Sequence, residues 1–594
     1  MDTSEKALET LIETSLLNQA GYIKGQSNNY EPNYCIDKTL LLQFLNQTQP
    51  TQIDKLKTKF GQKFEQKLFE RISKQIKDKG IIEVLRNGIK AQEITLNLYY
   101  KLPPSQVNPQ AIQIYNQNIF SVTRQLHFSN EKKQQSLDIV IFINGLPLIT
   151  LELKNNLTNQ NVQDAIKQYQ NNRNPKETLF NFGRCLVHFA VDDELVYMTT
   201  ELKGQQTIFL PFNKGQKSES QLIFPDSAGN PINPNGIKTD YLWKEIFSKK
   251  TLSNIIEKYA QLVEEKEEGK PKKRKLIFPR YHQLDLVQKL LEAAKNQGVG
   301  QRYLIQHSAG SGKSNSISWL SHQLLELTDT SETNTIFDSI IVVTDRKILD
   351  RQIRNNIKQF AQVNGVVEAI TEGSKQLQKA LENGKKIIIT TVFKFAYIVK
   401  EIQSLNNQKF AIIIFTATPK NKSLETFGIK NHEDGKYHPF HNYAMKQAIE
   451  EEFILDVLEN YTTYQSYYKI QQIIADNPQF DTKRAQKKLK KYVEGHPQII
   501  RQKAEIMIDH FLADVINTNK INGQAKAMVV TNGIISAIRY KLAFDALGLN
   551  LQKKIKCGNS YLKIYLQQLA KMKNIKTLRN IQIVKMRELL LRKS

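Results

Sequence analysis

The stretch SLDIVIFINGLPLITLELKN, residues 136–155, decides the reading of the N-terminal half. Two runs of β-branched and large apolar residues flank Asn144-Gly145, a dipeptide suited to the two positive-φ positions of a tight hairpin turn. The spacing predicts two antiparallel strands. Side chains alternate faces along a strand, so Glu152 and Lys154 share one. Which face Asp138 joins depends on the loop. A strict two-residue turn sets Asp138 opposite Leu151, whereas a three-residue loop, 144–146, sets it opposite Glu152. The second register is expected, because it gathers the groups that metal-dependent phosphodiester hydrolysis needs. Two carboxylates suit Mg2+, a hard cation that takes oxygen ligands. Bound Mg2+ polarises a phosphate and acidifies a water, and an adjacent lysine orients that water and stabilises developing negative charge. Alone, Glu-x-Lys on a strand is more commonly a solvent-facing pair, so the surrounding sequence must carry the weight.

Upstream, residues 1–20 have helical periodicity through Leu8, Leu11, Ile12, Leu16 and Leu17. Residues 37–90 alternate basic and apolar positions at helical spacing. From residue 91 the pattern turns to strands, including NIFSVTRQLHF, CLVHFAVD and LVYMTTEL. Residues 1–262 therefore read as one α/β domain. The charge-dense segment EEKEEGKPKKRK, Glu264 to Lys275, reads as a solvated linker, and 263–275 is placed as the boundary. Beyond it strand and helix alternate (YLIQHS, a helix from Ser314, SIIVVTD, a helix, KIIITT), the rhythm of a parallel, doubly wound sheet.

Within that second region lies HSAGSGKSNSISWL, His307 to Leu320. Gly310, Ser311, Gly312, Lys313 and Ser314 form a phosphate-binding loop between a strand and a helix. The glycines let backbone N–H groups point at phosphate oxygens, Lys313 reaches the terminal phosphates of ATP, and Ser314 ligates Mg2+ at the helix N-terminus.

The chain has 594 residues, more than one core of roughly 250–300 residues accommodates, so two to four domains are expected. Lys and Arg number 84 against 58 Asp and Glu, a net charge of +26 that suits a polyanionic partner such as DNA or RNA. Cys35, Cys185 and Cys557 show no zinc spacing and read as reduced thiols of a cytoplasmic protein. No signal peptide and no apolar run of about 18 residues is visible, so no membrane partner is expected.

Asp138 with Glu152-x-Lys154 resembles the PD-(D/E)xK nuclease signature without its proline. The flanking text FGRCLVHFAVDDELVYMTTELKG and TIFLPFNKG resembles the N-terminal region of restriction (R) subunits of type I restriction-modification enzymes. That resemblance implies a helical acid as a further metal ligand, for which Glu13 is the candidate and Glu9 the alternative. It also implies Gln-x-x-x-Tyr downstream. Gln168 fits the Gln, but position 172 is Asn, and Tyr169 is the substitute. FPRYHQLDLV resembles the adenine-reading motif of superfamily 2 helicases, with Arg280 and Gln283 as nucleotide contacts. One amide, that of Gln283, can satisfy both hydrogen-bonding edges of adenine. His307 stands where the strict Walker pattern has glycine, a departure the R-subunit family shares. VVTDRKILDRQI (342–353), IIITTVFKF (387–395) and Thr416-Ala417-Thr418-Pro419 resemble successive motor motifs.

At Ile414–Phe415 the chain departs from the family. There a strand like FAIII runs into Asp-Glu-Ala-His, whose acids hold Mg2+ and activate water. Here FAIII is spliced directly to FTATPKN. YAMKQAIEEEFILDVLENYTTY (443–464) and AKAMVVTNGIISAIRYKLAFDAL (525–547) resemble pieces of the second motor half, with Asn-Gly-Ile in place of Ser-Arg after the Val-Val-Thr strand. No arginine-finger segment follows, and residues 550–594 are a basic tail without resemblance.

The expected architecture is therefore α/β. A restriction-endonuclease-like domain (1–262) and the linker precede a first RecA-like lobe (276–432) with an internal deletion. A partial second lobe (433–549) and the tail follow, in a truncated family member. The resemblance implies ATP-dependent DNA translocation coupled to Mg2+-dependent endonucleolytic cleavage of unmodified double-stranded DNA. The partners would be methyltransferase (modification) and specificity subunits, and the motor of this chain is expected to be inactive. The alternatives are a non-catalytic DNA- or nucleotide-binding remnant and an ATP-independent nuclease.

Overall fold

The computed structural model describes residues 5–555, except 105–106, 157–158, 220–221, 266–272, 333, 345–352, 356, 358–365, 371–373, 392–410, 433, 457–495, 519–526, 528 and 532. Parts of the motor segments 342–353, 387–395, 443–464 and 525–547, and nearly all of the basic tail, lie outside the described residues. Contacts divide the chain into two compact units, Met1–Ile454 and Leu455–Ser594. Among the described residues no helix is long and apolar enough to cross a membrane.

The first unit is built on a seven-stranded mixed sheet in sequential order: β1 (Ile23–Lys24), β2 (Phe120–His127), β3 (Ser136–Ile143), β4 (Leu146–Leu153), β5 (Val187–Val191), β6 (Val196–Thr199) and β7 (Leu210–Pro211). The β1–β2 and β4–β5 pairs are parallel and the others antiparallel. Every residue of β4 is buried. Its Leu148, Ile149, Leu151 and Leu153 face a large core shared with α1 (Glu5–Asn18) and with helices 38–48, 50–60, 64–79 and 81–87. The opposite face packs Val140 and Phe142 against α2 (Val162–Asn172). In α1 it is Leu8, Ile12 and Leu16, one turn apart, that reach the core, while Leu11 is 48% exposed.

The hairpin meets the expected register by a different route. Asn144 and Gly145 form a two-residue turn with φ of 50° and 78°, and Ile143 pairs with Leu146. A bulge then absorbs Leu148, so that Ile141 pairs with Ile149 and Ile139 with Leu151. Continued by one residue, that register puts Asp138 opposite Glu152. The three-residue loop is thus corrected to a tight turn plus a bulge. Close packing fixes the turn: a Cβ on Gly145 would lie 2.5 Å from the Asp37 carbonyl oxygen, and the Asn144 side chain bonds to the Ile119 amide and the Leu98 carbonyl.

The arms of the segment expected to be a linker are ordered, β8 (Gln261–Glu265) pairing antiparallel with β9 (Lys273–Ile277). The tip, 266–272, lies outside the described residues. After α3 (Tyr281–Gln297), the expected single doubly wound sheet is found as two separate three-stranded parallel sheets among the described residues. In one, β10 (Arg302–His307) is flanked by β14 (Ile412–Thr416) and β15 (His441–Tyr443). In the other, β13 (Ile387–Thr391) lies between β11 (Ile340–Thr344) and β12 (Val367–Ala369). Among the described residues no strand joins them. The strand β13 is buried throughout, whereas in β14 Ile412 is 42% exposed and the rest is half-buried. The helix α4 (Lys313–Leu325) follows β10 and anchors on the sheet-bearing domain through the Trp319 indole N–H, which donates to the Tyr259 carbonyl.

In the second unit, α5 (Pro497–His510) packs against α6 (Ile534–Ile555). The Val-Val-Thr segment expected to be a strand, 529–531, is not one, and Val530 is 81% exposed. Among the described residues no partner strand stands beside it to satisfy its backbone groups.

Candidate functional sites

Asp138, at the start of β3, and Glu152 and Lys154, at the end of β4, converge at one end of the sheet. All three are buried or nearly so. One Asp138 oxygen accepts the Leu153 amide at 2.7 Å, and the other accepts the Gln125 side-chain amide at 3.4 Å. Gln125 adopts a left-handed backbone, φ 46°, opposite Asp138, which turns its side chain toward the acids. Glu152 Oε1 is paired with Arg173 Nε at 2.5 Å, and both side chains are buried. Glu152 Oε2 is buried without a hydrogen-bond partner. Burial, with the negative charge of Asp138 beside it, pushes the Glu152 carboxyl up to about 8 despite the Arg173 and Lys154 cations.

The helical acids sit beside this group and do not complete it. Glu13 pairs with Lys24 at 3.2 Å and with Arg124 at 3.4 Å. Glu9 pairs with Arg124 at 3.0 Å and accepts Gln125 Nε2 at 2.9 Å, so Glu9 is one side chain removed from Asp138. Among the described residues no three His, Cys, Asp or Glu side chains gather to hold a metal. The pair Asp138–Glu152 nevertheless fits one hard cation. It offers two neighbouring carboxylates and a desolvated oxygen with no donor among the described residues. Gln168 is half-buried on α2, with no side-chain hydrogen bond among the described residues. The neighbouring Tyr169 hydroxyl is buried against Thr150 Oγ1 at 2.7 Å, and Thr150 in turn bonds His188 Nδ1. Burial lowers His188 to about 3, so that chain is a neutral packing element.

The second site is the loop between β10 and α4. Gly310 and Gly312 take φ of 74° and 77°, and Gly312 caps the helix. The Lys313 ammonium is folded back onto the His307 and Ser308 carbonyls, at 3.1 and 2.8 Å. Gln283 donates to the Ser311 and Gly312 carbonyls and accepts the Arg280 amide, so its amide is occupied by the loop itself. The Arg280 guanidinium bonds Glu451 at 2.8 Å and the Tyr443 hydroxyl at 2.7 Å, and lies 3.3 Å from the centre of the Phe453 ring. Ser314 is half-buried in the first turn of α4. Beneath the loop His307 bonds His441, which bonds Asp285. Neither strand flanking β10 ends in a carboxylate: β14 continues into Ala417-Thr418-Pro419, and β15 reads His-Asn-Tyr.

Residues 2–207 match the family described as the N terminus of type I restriction enzyme R proteins, and residues 282–415 match the SWI2/SNF2 ATPases. The type I restriction enzyme HindI endonuclease subunit of Haemophilus influenzae is 24% identical over 382 residues. The SauCOLORF180P endonuclease subunit of Staphylococcus aureus is 24% identical over 396. The chain is similar to the R subunits of type I restriction enzymes. These alignments cover 63% and 65% of this chain but 34% and 37% of the relatives, so the chain spans about a third of their length. A fragment structure assigned to the HsdR subunit of a type I restriction enzyme from Vibrio vulnificus aligns with 71% of this chain and 67% of its own, at 14% identity and a TM-score of 0.29.

Sequence reasoning missed Arg173, Arg124 and Gln125. Arg173 lies in NNRNPKE, which carries the composition of a loop, and nothing local marks an arginine as the partner of an acid 21 residues upstream. Gln125 lies mid-strand, where its left-handed backbone has no sequence signal.

Proposed function

We propose that residues 1–262 carry a Mg2+-dependent DNA endonuclease centred on Asp138, Glu152 and Lys154. The observation that supports it is the convergence of these side chains at the end of the β3–β4 hairpin, with one Glu152 oxygen left undonated. Asp138 and Glu152 would hold the cation, and either Glu9 or Glu13 could approach it only by exchanging Arg124 for it. Mg2+ bound there polarises the scissile phosphate and lowers the pKa of an attacking water. Lys154 stabilises the charge that develops on the phosphate, and Gln168, free on α2, orients the water or the backbone of the duplex.

Residues 276–432 act as a nucleotide-binding lobe. ATP would draw Lys313 off the two loop carbonyls and take the N–H groups of Gly310–Gly312, with Ser314 placed for Mg2+. Arg280 and Gln283 would meet the base after releasing Glu451 and the loop. In this reading the motor is inactive: the splice at Ile414–Phe415 removes the acids and the strand that would bridge the two small sheets, and residues 433–549 form only part of a second lobe. The ATPase match stopping at residue 415 agrees with it. In this reading the native setting is a cytoplasmic complex on double-stranded DNA with methyltransferase and specificity subunits, as the resemblance to type I restriction enzymes implies.

The test is nicking of supercoiled DNA by the purified chain in Mg2+, with and without ATP and the partner subunits. Cleavage that is unchanged by ATP and lost in Asp138→Asn supports a nuclease uncoupled from its motor. ATP-dependent cleavage would overturn the inactive-motor reading, and no cleavage in any arm would leave a binding remnant.

A further inference from the structure

We infer that Arg173 is a built-in counter-charge of the metal-free site, a positioning residue that pairs with one oxygen of the buried Glu152 and orients the other for the incoming cation. The inference rests on the nuclease reading above. A carboxylate with no exposed surface, placed beside a second acid, is strongly disfavoured unless it is paired. Arg173 supplies the pair from the far side. Its Nε meets Oε1 at 2.5 Å, and its second nitrogen donates to the Ser136 carbonyl at 2.8 Å. Its guanidinium also lies 5.4 Å from the centre of the Phe128 ring. Those contacts fix the fork in one plane and consume Oε1, so the oxygen left without a donor is Oε2. Arg173 is also the residue that ends α2, whose N-terminus is set by the Asn161–Asp164 capping box, so a helix with a defined position delivers it.

A fixed cation in contact with a ligand stabilises the empty site and repels the metal. Wild type should therefore bind a divalent cation more weakly than a chain in which that charge is removed, and should depend on the metal less for its stability. The experiment measures Mn2+ affinity by calorimetry, and thermal unfolding in EDTA and in Mn2+, on the full chain. It compares wild type, Arg173→Gln, Arg173→Lys and Asp138→Asn.

The expected result has three parts. Arg173→Gln melts below wild type in EDTA and recovers most of the loss in Mn2+. It binds Mn2+ about tenfold tighter, a conservative figure for a like charge removed at such range. Arg173→Lys, which keeps the charge, stays within about twofold of wild type in Mn2+ affinity. An Arg173→Gln chain that folds only with Mn2+ present is the extreme form of the same outcome. Equal loss of stability with and without metal, failure to fold in either condition, or unchanged or weaker Mn2+ binding overturns the inference and makes Arg173 a structural ion pair. The nuclease reading fails separately, and takes the inference with it, if wild type shows no Mn2+ binding that Asp138→Asn removes.

Discussion

The sheets before and after the β8–β9 pair in the chain differ in one respect that governs everything built on them. In the N-terminal sheet each strand is hydrogen-bonded to the next across seven strands, and the central β4 is buried on both faces. In the ATPase-like region the described strands fall into two groups of three, and β14 is partly exposed along its length. A parallel strand belongs in a doubly covered interior. The first sheet therefore presents its candidate residues ready assembled. In the second region the loop satisfies itself: Lys313 and Gln283 spend their donors on its own carbonyls.

The largest contrast expected is chemical. If the β3–β4 end is the cutting site, Asp138→Asn lowers the DNA nicking rate by at least about a hundredfold, since it removes a metal ligand. Glu152→Gln does the same. Lys313→Ala in the second region leaves nicking without ATP unchanged. A nicking time course on the three variants measures this, and equal losses in all three would erase the proposed division of labour.

The second contrast is in stability. Leu151 is fully buried in the continuous sheet, so Leu151→Ala is expected to cost about 2–5 kcal/mol. Ile413 sits half-buried in β14, and the same truncation there should cost less than about 1.5 kcal/mol, the transfer term of a half-exposed side chain without a sealed cavity. Chemical denaturation of each variant compares them. A cost at Ile413 as large as that at Leu151 would mean that β14 is covered in solution.

A third expectation concerns the turn. Gly145→Ala adds a Cβ at positive φ, 2.5 Å from the Asp37 carbonyl and 2.6 Å from the Leu41 amide, so either the turn or the helix from Lys38 must move. A loss of about 1–3 kcal/mol is expected from strain of this kind. Because the turn and the bulge at Leu148 together set the register of Asp138, Mn2+ affinity should fall with it. Full metal affinity in a destabilised Gly145→Ala chain would show that the bulge alone holds the register.

How much of this was legible follows from which forces act locally. Hydrophobic alternation and Asn144-Gly145 make the hairpin readable, and the turn at Gly310–Gly312 between a strand and a helix is readable because its positive-φ positions are glycines. The register at Asp138 was reachable only by asking what the chemistry requires. The bulge that delivers it leaves no mark in the sequence, since Leu148 is an ordinary strand residue. Arg173 was illegible because its partner is fixed by where α2 ends, a tertiary fact. The ribbon at 261–277 was misread because its alternating charges have the composition of a solvated linker while its backbones pair. The run of FAIII into FTATPKN at Ile414–Phe415 was readable only as a departure from the family pattern, and the division of the described strands into two sheets appears only when they are paired.

The smallest effect expected is the most telling about the second region. Hydrolysis of ATP in these motors needs an acid at the tip of a strand beside the phosphate loop to hold Mg2+ and activate water. The strands beside β10 end in Thr416-Ala417-Thr418 and in Asn442-Tyr443, and the buried acid closest in the bonding network, Glu451, is committed to Arg280, Tyr443 and Gln447. Lys313→Ala should therefore leave the rate of ATP hydrolysis, with linear DNA and Mg2+, where wild type already has it, while a fluorescent ATP analogue binds the variant more weakly. Turnover that depends on Lys313 would mean that Glu451 is released from Arg280 on nucleotide binding and takes the missing acid's place. Glu451→Gln would then abolish that turnover.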